Sequence, residues 1–215
     1  MKYKAIIFDL DGVICHTDHY HYLAWKQLAD RLGIEFDEKI NNRLRGVSRM
    51  DSLEIILEKW DGAPFSEEEK LEFADEKNEI YKELLKKMST KDLSNEVKET
   101  LEQLRAGGLL LSIGSSSKNT RFILGQIGLG NFFDAISDGN NITKSKPDPE
   151  VFLMAAEYLK MEPKDCLVIE DAKAGIDAAC AAGMDRVAIG DAFGYSKATY
   201  HLDTFSKLIE ICSVQ

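Results

Sequence analysis

The stretch Ala5–Val13 constrains the fold most, because a short apolar run is followed there by two aspartates and a glycine. Short apolar runs that end in a turn residue are typical of buried parallel strands. Asp9 and Asp11 follow this predicted strand, and two carboxylates held so close together repel each other unless a cation or a proton lies between them. The alternative interpretation is a solvated Asp–Gly turn that merely ends the strand.

The composition indicates a globular protein that does not bind nucleic acid. The 215 residues are 44% hydrophobic, which is enough to form a core. The net charge is −10, whereas nucleic-acid-binding proteins are basic. No stretch has the pattern of a signal peptide or a membrane span, and we expect a cytoplasmic monomer without a membrane partner. No CxxC spacing occurs, so we expect reduced thiols at the four cysteines, Cys15, Cys166, Cys180 and Cys212.

The segment after the first predicted strand has the periodicity of helices only. Trp25, Leu28, Ala29 and Leu32 follow the i, i+3, i+4, i+7 spacing of a helix face. Ser48 and Ser66 each precede an acidic residue by three positions, which is typical of a helix N-terminus. We therefore predict a small all-helical cap domain over residues 15–91, inserted after the first strand.

The rest of the chain alternates between predicted helices and short apolar runs. Predicted strands lie near residues 109–113, 135–136, 167–169 and 186–190, with helices between them. Such alternation is typical of a parallel sheet covered by helices on both faces. The predicted fold class is therefore α/β, with a doubly wound, Rossmann-like core formed by residues 1–14 and 92–215.

Chemically active residues follow four of the predicted strands. In an open parallel sheet the carboxyl ends of the strands form the ligand site, so these side chains are expected in one crevice. Carboxylates from two strands favour a hard divalent ion such as Mg²⁺. The turn before the next helix can bind an anion through backbone N–H groups, and a lysine adds a positive charge for phosphate. The residues concerned are Asp9, Asp11, Ser115, Ser116, Ser117, Lys118, Asn119, Lys146, Glu170 and Asp171.

These residues, in this order, resemble the motifs of the haloacid dehalogenase superfamily of phosphotransferases. The resemblance rests on Asp9-Leu10-Asp11-Gly12-Val13, Ser115, Lys146-Pro147 and Glu170-Asp171, and it covers the whole chain. It implies that Asp9 is the nucleophile that becomes an aspartyl-phosphate and that Asp11 is the general acid/base. It also implies that Asp9, the Asp11 backbone carbonyl, Glu170 and Asp171 ligate Mg²⁺. Ser115 and Lys146 would then hold the transferring phosphoryl oxygens.

The cap residues resemble those of the β-phosphoglucomutase family within that superfamily. The matching positions, predicted to bind the substrate or its phosphates, are Thr17, His21, Trp25, Gly46, Val47, Ser48, Arg49, Lys77 and Asn78. The resemblance implies interconversion of β-D-glucose 1-phosphate and glucose 6-phosphate through β-glucose 1,6-bisphosphate. In a mutase, Arg49 would supply a second phosphate site at a helix N-terminus.

Two other functions are compatible with the same pattern. One is a Mg²⁺-dependent sugar-phosphate phosphatase, which needs only one phosphate site. The other is a phosphate-sensing module without catalysis, which the presence of both Asp9 and Asp11 disfavours. The chain also departs from the mutase pattern at four places, namely His16, Ser94-Asn95-Glu96, Ser116 and Ala172-Lys173. Each cap residue also has a structural interpretation, for example Trp25 as a core anchor and Arg49 as a solvated helix-end charge.

Overall fold

The computed structural model describes residues 2–44 and 48–213. The chain folds into two compact units. One unit contains the residues up to His16 and those from Ser89 onward, and the other contains Thr17–Met88. The predicted boundaries lay at residues 14–15 and 91–92, within three positions of these.

The larger unit is built on a parallel sheet. Its strands, in chain order, are β1 (Ala5–Phe8), β2 (Leu110–Gly114), β3 (Ala135–Ser137), β4 (Cys166–Glu170), β5 (Asp185–Ala188) and β6 (Tyr200–His201). Their spatial order is β3-β2-β1-β4-β5-β6, and every neighbouring pair is parallel. The first strand lies between β2 and β4, so that Phe8 is in register with Ile113 and with Ile169. This confirms the predicted fold class.

One strand was not predicted from the sequence. β6 contains only two residues, and it pairs with β5 at the edge of the sheet. Because both of its residues are polar-tipped aromatic side chains, it lacks the apolar run that marks the interior strands.

The smaller unit contains only helices among its described residues, as the periodicity predicts. They are α1 (Asp18–Leu32), α2 (Glu38–Asn42), α3 (Arg49–Leu57) and α4 (Glu67–Leu85). The predicted apolar face of α1 is buried, and Trp25 and Leu28 belong to the same core cluster as Leu53 and Ile56 of α3. Ser48 accepts a hydrogen bond from the Asp51 N–H, and Ser66 forms a full capping box with Glu69.

The helices of the larger unit cover the sheet. They are α5 (Asn95–Ala106), α6 (Thr120–Gln126), α7 (Glu150–Leu159), α8 (Lys173–Ala181) and α9 (Leu208–Ser213). Apolar residues of α7 and α8 form one core cluster with Ala5, Ile7 and Val168 of the sheet. At the start of α7, Pro149 is the N-cap and the Asp148 carboxylate accepts the Glu150 N–H. In the part of the chain that the structure describes, no helix combines the length and apolar character needed to cross a bilayer.

Candidate active site

Three acidic side chains meet at the carboxyl edge of the central strands. Asp9 follows β1, Glu170 ends β4, and Asp171 comes directly after it. Since β1 and β4 are neighbours in register, the three side chains offer oxygens that all lie within 4.8 Å of one another. Asp9 and Glu170 are buried, and Asp171 is partly exposed. Carboxylate oxygens at this spacing are the donors that a hard divalent ion such as Mg²⁺ prefers.

Among the described residues, the Asp11 carboxylate is not a member of this three-carboxylate cluster. Between Asp9 and Asp11 the strand has ended, and the backbone reaches a left-handed conformation at Gly12, with φ +86°. Asp11 nevertheless lies near enough for its charge to contribute to the raised pKa of Asp171.

Lys146 supplies the positive charge of the site. Its Nζ contacts Oδ1 of Asp9 and lies 3.2 Å from Oε1 of Glu170. Burial lowers the pKa of the Lys146 ammonium, but the charges of Asp9 and Glu170 outweigh this effect, so the pKa is raised overall. Lys146 therefore stays protonated and offsets part of the negative charge of the cluster.

Burial, reinforced by neighbouring negative charges, raises the pKa values of Asp171 and Glu170. Burial, followed by the charges of Glu170, Asp9 and Asp11, raises the pKa of Asp171 to about 8. Burial is also the main cause of the raised pKa of Glu170. In the absence of a cation the cluster therefore binds protons, and a divalent ion would displace them.

Two glycines lie so close to the acidic side chains of the cluster that a side chain at either position would overlap them. A Cβ on Gly12 would overlap Oδ2 of Asp171, and a Cβ on Gly175, in the first turn of α8, would overlap Oε1 of Glu170. The role of Gly175 was not predicted from the sequence. A glycine five positions after a strand-end acid has no periodic signal in the sequence, and its role follows only from the position of the Glu170 carboxyl group against it.

The predicted anion-binding turn, Ser115–Asn119, follows β2 and precedes α6; we call it the phosphate loop. Ser115 and Asn119 are buried, and Lys118 is exposed. The Ser115 hydroxyl accepts the Ser117 N–H, and the Ser117 hydroxyl accepts the Asn119 N–H, each at 3.2 Å. Among the described residues, the buried Ser116 hydroxyl has no hydrogen-bond partner. The loop thus presents backbone N–H and hydroxyl groups at the same sheet edge as Asp9.

In the smaller unit, a buried lysine lies among aromatic rings and a histidine. Lys77 is 3% exposed, and its Nζ lies 4.7 Å from the ring centre of Trp25 and 4.8 Å from that of Tyr81. The same Nζ lies 2.8 Å from Nδ1 of His21, whose ring stacks on Tyr81. Burial, together with the positive charge of Arg49, lowers the pKa of Lys77 to about 7. Burial and the charges of Lys77 and Arg49 hold the pKa of His21 well below its ordinary value.

Arg49 lies at the start of α3, beside this group. Its Nη2 donates to Oδ1 of Asn78 at 3.1 Å, and its Nη1 lies 3.7 Å from the exposed Asp75 carboxylate. Ser48, just before it, is exposed and caps α3, and Thr17, before α1, is buried. The predicted site residues Gly46 and Val47 lie outside the described residues. Among the described positions, His21, Trp25, Arg49, Lys77 and Asn78 thus form one connected polar group, which we call the cap cluster.

Comparison with known proteins identifies the family. Residues 6–189 match the family model of haloacid dehalogenase-like hydrolases. The chain is 44% identical over 189 residues to a β-phosphoglucomutase of Bacillus subtilis, covering 87% of this chain and 83% of that protein. It is 31% identical over 189 residues to a fructose-1-phosphate phosphatase of Escherichia coli, covering 86% of this chain and 96% of that protein.

A solved structure with the same architecture agrees with this result. The β-phosphoglucomutase structure from Clostridium difficile superposes with a TM-score of 0.85 at 40% identity, covering 96% of this chain and 93% of that chain. The family resemblance predicted from the strand-end motifs is thereby confirmed. The chain is therefore an enzyme of the haloacid dehalogenase-like hydrolase family.

Proposed function

We propose that the protein interconverts β-D-glucose 1-phosphate and glucose 6-phosphate, using Asp9 as a phosphoryl carrier and β-glucose 1,6-bisphosphate as the intermediate. The observation that carries this proposal is the cap cluster, in which Arg49 is cationic and Lys77, with its pKa lowered to about 7, can take up a proton when an anion binds. A phosphatase needs one phosphate site, whereas a mutase must also hold the phosphate that is not being transferred. The β-phosphoglucomutases from Bacillus subtilis and Clostridium difficile, at 44% and 40% identity, support the same reaction.

In the first half-reaction, we assign the phosphoryl donor to phosphorylated Asp9. Asp11 takes the proton from the free hydroxyl of the sugar monophosphate as that oxygen bonds to phosphorus, and the bond between phosphorus and the Asp9 oxygen breaks, which gives the bisphosphate. In the second half-reaction, a carboxylate oxygen of Asp9 bonds to the phosphorus at the other end of the bisphosphate, and the bond between that phosphorus and the sugar oxygen breaks. Asp11 returns the proton to the departing sugar oxygen, so protons and phosphoryl groups balance over the cycle.

Lys146 and the phosphate loop would stabilise the phosphoryl group during transfer. Lys146 already contacts Asp9, so its charge lies next to the oxygen atoms that become more negative. The hydroxyl and N–H groups of the phosphate loop supply hydrogen bonds to the same phosphoryl oxygens.

The carboxylate cluster fits Mg²⁺ in donor type and spacing, since it offers three oxygens within 4.8 Å and carries raised pKa values that a cation would relieve. Asp9, Glu170 and Asp171 would hold the ion, together with the Asp11 carbonyl that the family resemblance implies. When bound, it supplies charge neutralisation for the phosphoryl group.

Arg49 provides the test that separates a mutase from a phosphatase. A charge-assisted contact of Arg49 with phosphate contributes about 1.5–3 kcal/mol. Arg49→Ala should therefore lower kcat/KM for glucose 6-phosphate formation at least tenfold, and Arg49→Lys should restore only part of it, because lysine lacks the planar fork. Hydrolysis of acetyl phosphate, which has no second phosphate, should change much less.

The matched control is Arg43→Ala, which removes an exposed cap arginine that pairs with Glu58 instead. Equal losses in both reactions of Arg49→Ala would make Arg49 a structural residue. An unchanged mutase rate would place the second phosphate elsewhere and favour the sugar-phosphate phosphatase.

A further inference from the structure

A turn with no predicted site residue lies directly against the phosphate loop. It consists of Asp138–Asn141 and follows β3, the neighbour of β2 in the sheet. The Gly139 N–H donates to the Ser117 carbonyl at 3.1 Å. The Asn140 side-chain amide donates to the Lys118 carbonyl at 3.0 Å. Two successive peptide groups of the phosphate loop are therefore tied to this turn.

A buried carboxylate, that of Asp138, accepts hydrogen bonds from within the turn. Asp138 is 2% exposed, and its Oδ1 accepts both the Asn140 N–H at 2.9 Å and the Asn140 side-chain amide at 3.0 Å. Its own N–H donates to Oδ1 of Asn141 at 2.7 Å. Its Oδ2 makes no hydrogen bond in the part of the chain that the structure describes, and Nε of Arg121 lies 3.7 Å away. Asp138 thus fixes the direction in which the Asn140 amide points.

The distance between the turn and the phosphate loop depends on the absence of a side chain at Gly139. A Cβ there would overlap the Ser116 carbonyl oxygen and would lie 2.9 Å from the Lys118 nitrogen. Both of these atoms belong to backbone, which cannot move aside as a flexible side chain can. Gly139 does not have a positive φ, so its backbone conformation would accept an alanine, and any effect of that alanine arises from the contact.

The contacts determine which way the N–H groups of the phosphate loop point. In a planar trans peptide the N–H and C=O groups point in opposite directions. Because the Ser117 and Lys118 carbonyls point to the turn, the N–H groups of Lys118 and Asn119 point away from it. The Asn119 N–H donates to the Ser117 hydroxyl, so the Lys118 N–H is the group that the turn directs towards a phosphoryl oxygen. We propose that the turn Asp138–Asn141 is a positioning element for phosphate recognition, with Gly139 and Asn140 as its positioning residues. The proposal rests on the proposed function, in which the phosphate loop binds phosphoryl oxygens.

Two variants test this with inorganic phosphate and Mn²⁺ as separate probes. Gly139→Ala should weaken phosphate binding about tenfold to a hundredfold, because displacement of binding groups by about an ångström has effects of that size. Asn140→Ala, which removes the side-chain hydrogen bonds to the Lys118 carbonyl and to Asp138 without adding bulk, should weaken it about three- to tenfold. The Mn²⁺ affinity should stay within about twofold of wild type, since Asp9, Glu170 and Asp171 lie at the ends of β1 and β4 and not at β2 or β3. Calorimetry measures the phosphate affinity, and electron paramagnetic resonance measures the Mn²⁺ affinity.

Matched controls are Gly125→Ala and Asn131→Ala. Gly125 is an exposed helical glycine with open space around its Cβ position, and Asn131 is an exposed asparagine outside the turn. Both should bind phosphate as wild type does. Wild-type phosphate affinity in Gly139→Ala and Asn140→Ala would overturn the proposal, and so would a parallel loss of Mn²⁺ affinity. A wild-type protein that binds Mn²⁺ but no phosphate would instead contradict the proposed function.

Discussion

Nζ of Lys77 lies 2.8 Å from Nδ1 of His21 inside the helical unit, and the pKa of this lysine is lowered to about 7 by burial and by Arg49. At pH 8 most Lys77 side chains are therefore neutral. A bound phosphate dianion favours the ammonium form, so its binding should raise this pKa and take up part of a proton.

Proton uptake at Lys77 is the first prediction. Calorimetric titration with glucose 6-phosphate at pH 8, in buffers of different ionisation enthalpy, should show net proton uptake that is absent in Lys77→Met. Lys82→Met removes a half-buried lysine of the same helix that pairs with Glu79, and it should keep the wild-type value. Equal proton uptake in wild type and Lys77→Met would contradict a role for Lys77 in phosphate binding.

The carboxylate cluster predicts that the metal-free protein becomes less stable as pH rises. The Asp171 pKa is about 8 in the folded protein, whereas an unfolded aspartate has a pKa of about 3.9. A raised carboxyl pKa stabilises the fold fully below the unfolded pKa, and this contribution is lost as pH rises towards 8.

Urea unfolding in EDTA at pH 5 and pH 8 measures this effect. Between pH 5 and pH 8, the free energy of unfolding should fall more for wild type than for Asp171→Asn. Saturating Mg²⁺ should remove this difference in pH dependence. Equal slopes for the two metal-free proteins would show that Asp171 ionises normally in the fold.

Gly175 should control the metal affinity through Glu170. Gly175→Ala places a Cβ where Oε1 of Glu170 lies, so the carboxylate must rotate out of the cluster. Displacing an outer support of a metal ligand typically costs 10–100-fold in affinity, and we expect a loss of about that size for Mn²⁺. Gly125→Ala is the control, because the same substitution meets open space there. Unchanged Mn²⁺ affinity in a folded Gly175→Ala protein would show that Glu170 does not hold the metal.

Asp11→Asn should separate proton transfer from phosphoryl transfer. The amide cannot donate or accept the required proton, so mutase turnover should fall by roughly two to four orders of magnitude. Formation of phospho-enzyme from acetyl phosphate, whose leaving group needs no proton, should persist in a quench-flow measurement. Asp9→Ala should abolish both reactions. Wild-type mutase turnover by Asp11→Asn would remove Asp11 from the mechanism.

The sequence predicts the parts of this protein that depend on local pattern and on general topological rules. The apolar runs before Asp9 and Glu170 predict buried strands, and parallel topology then predicts that these acids share one sheet edge. The apolar face of α1 around Trp25 is likewise predicted by its spacing. These features follow from sequence because one short segment determines each of them.

Other features depend on contacts between segments that are far apart in the sequence. Asp138–Asn141 is composed of turn-forming residues, yet its bonds to the phosphate loop require β3 to lie beside β2. The hydrogen bond between Arg49 and Asn78 joins two helices 29 positions apart, and the lowered pKa of Lys77 depends on how deeply it is buried. Sequence spacing alone predicts neither the contacts between these segments nor the burial of Lys77.

The most direct test of the central claim is the product made from β-D-glucose 1-phosphate by the wild-type protein with Mg²⁺ and a trace of β-glucose 1,6-bisphosphate. Phosphorus NMR distinguishes glucose 6-phosphate from inorganic phosphate in one sample. We predict that glucose 6-phosphate accumulates in near-equal amount to the substrate consumed, and that omission of the bisphosphate delays its formation. Release of inorganic phosphate in equal amount to the substrate consumed, with no glucose 6-phosphate, would contradict the mutase and identify a phosphatase.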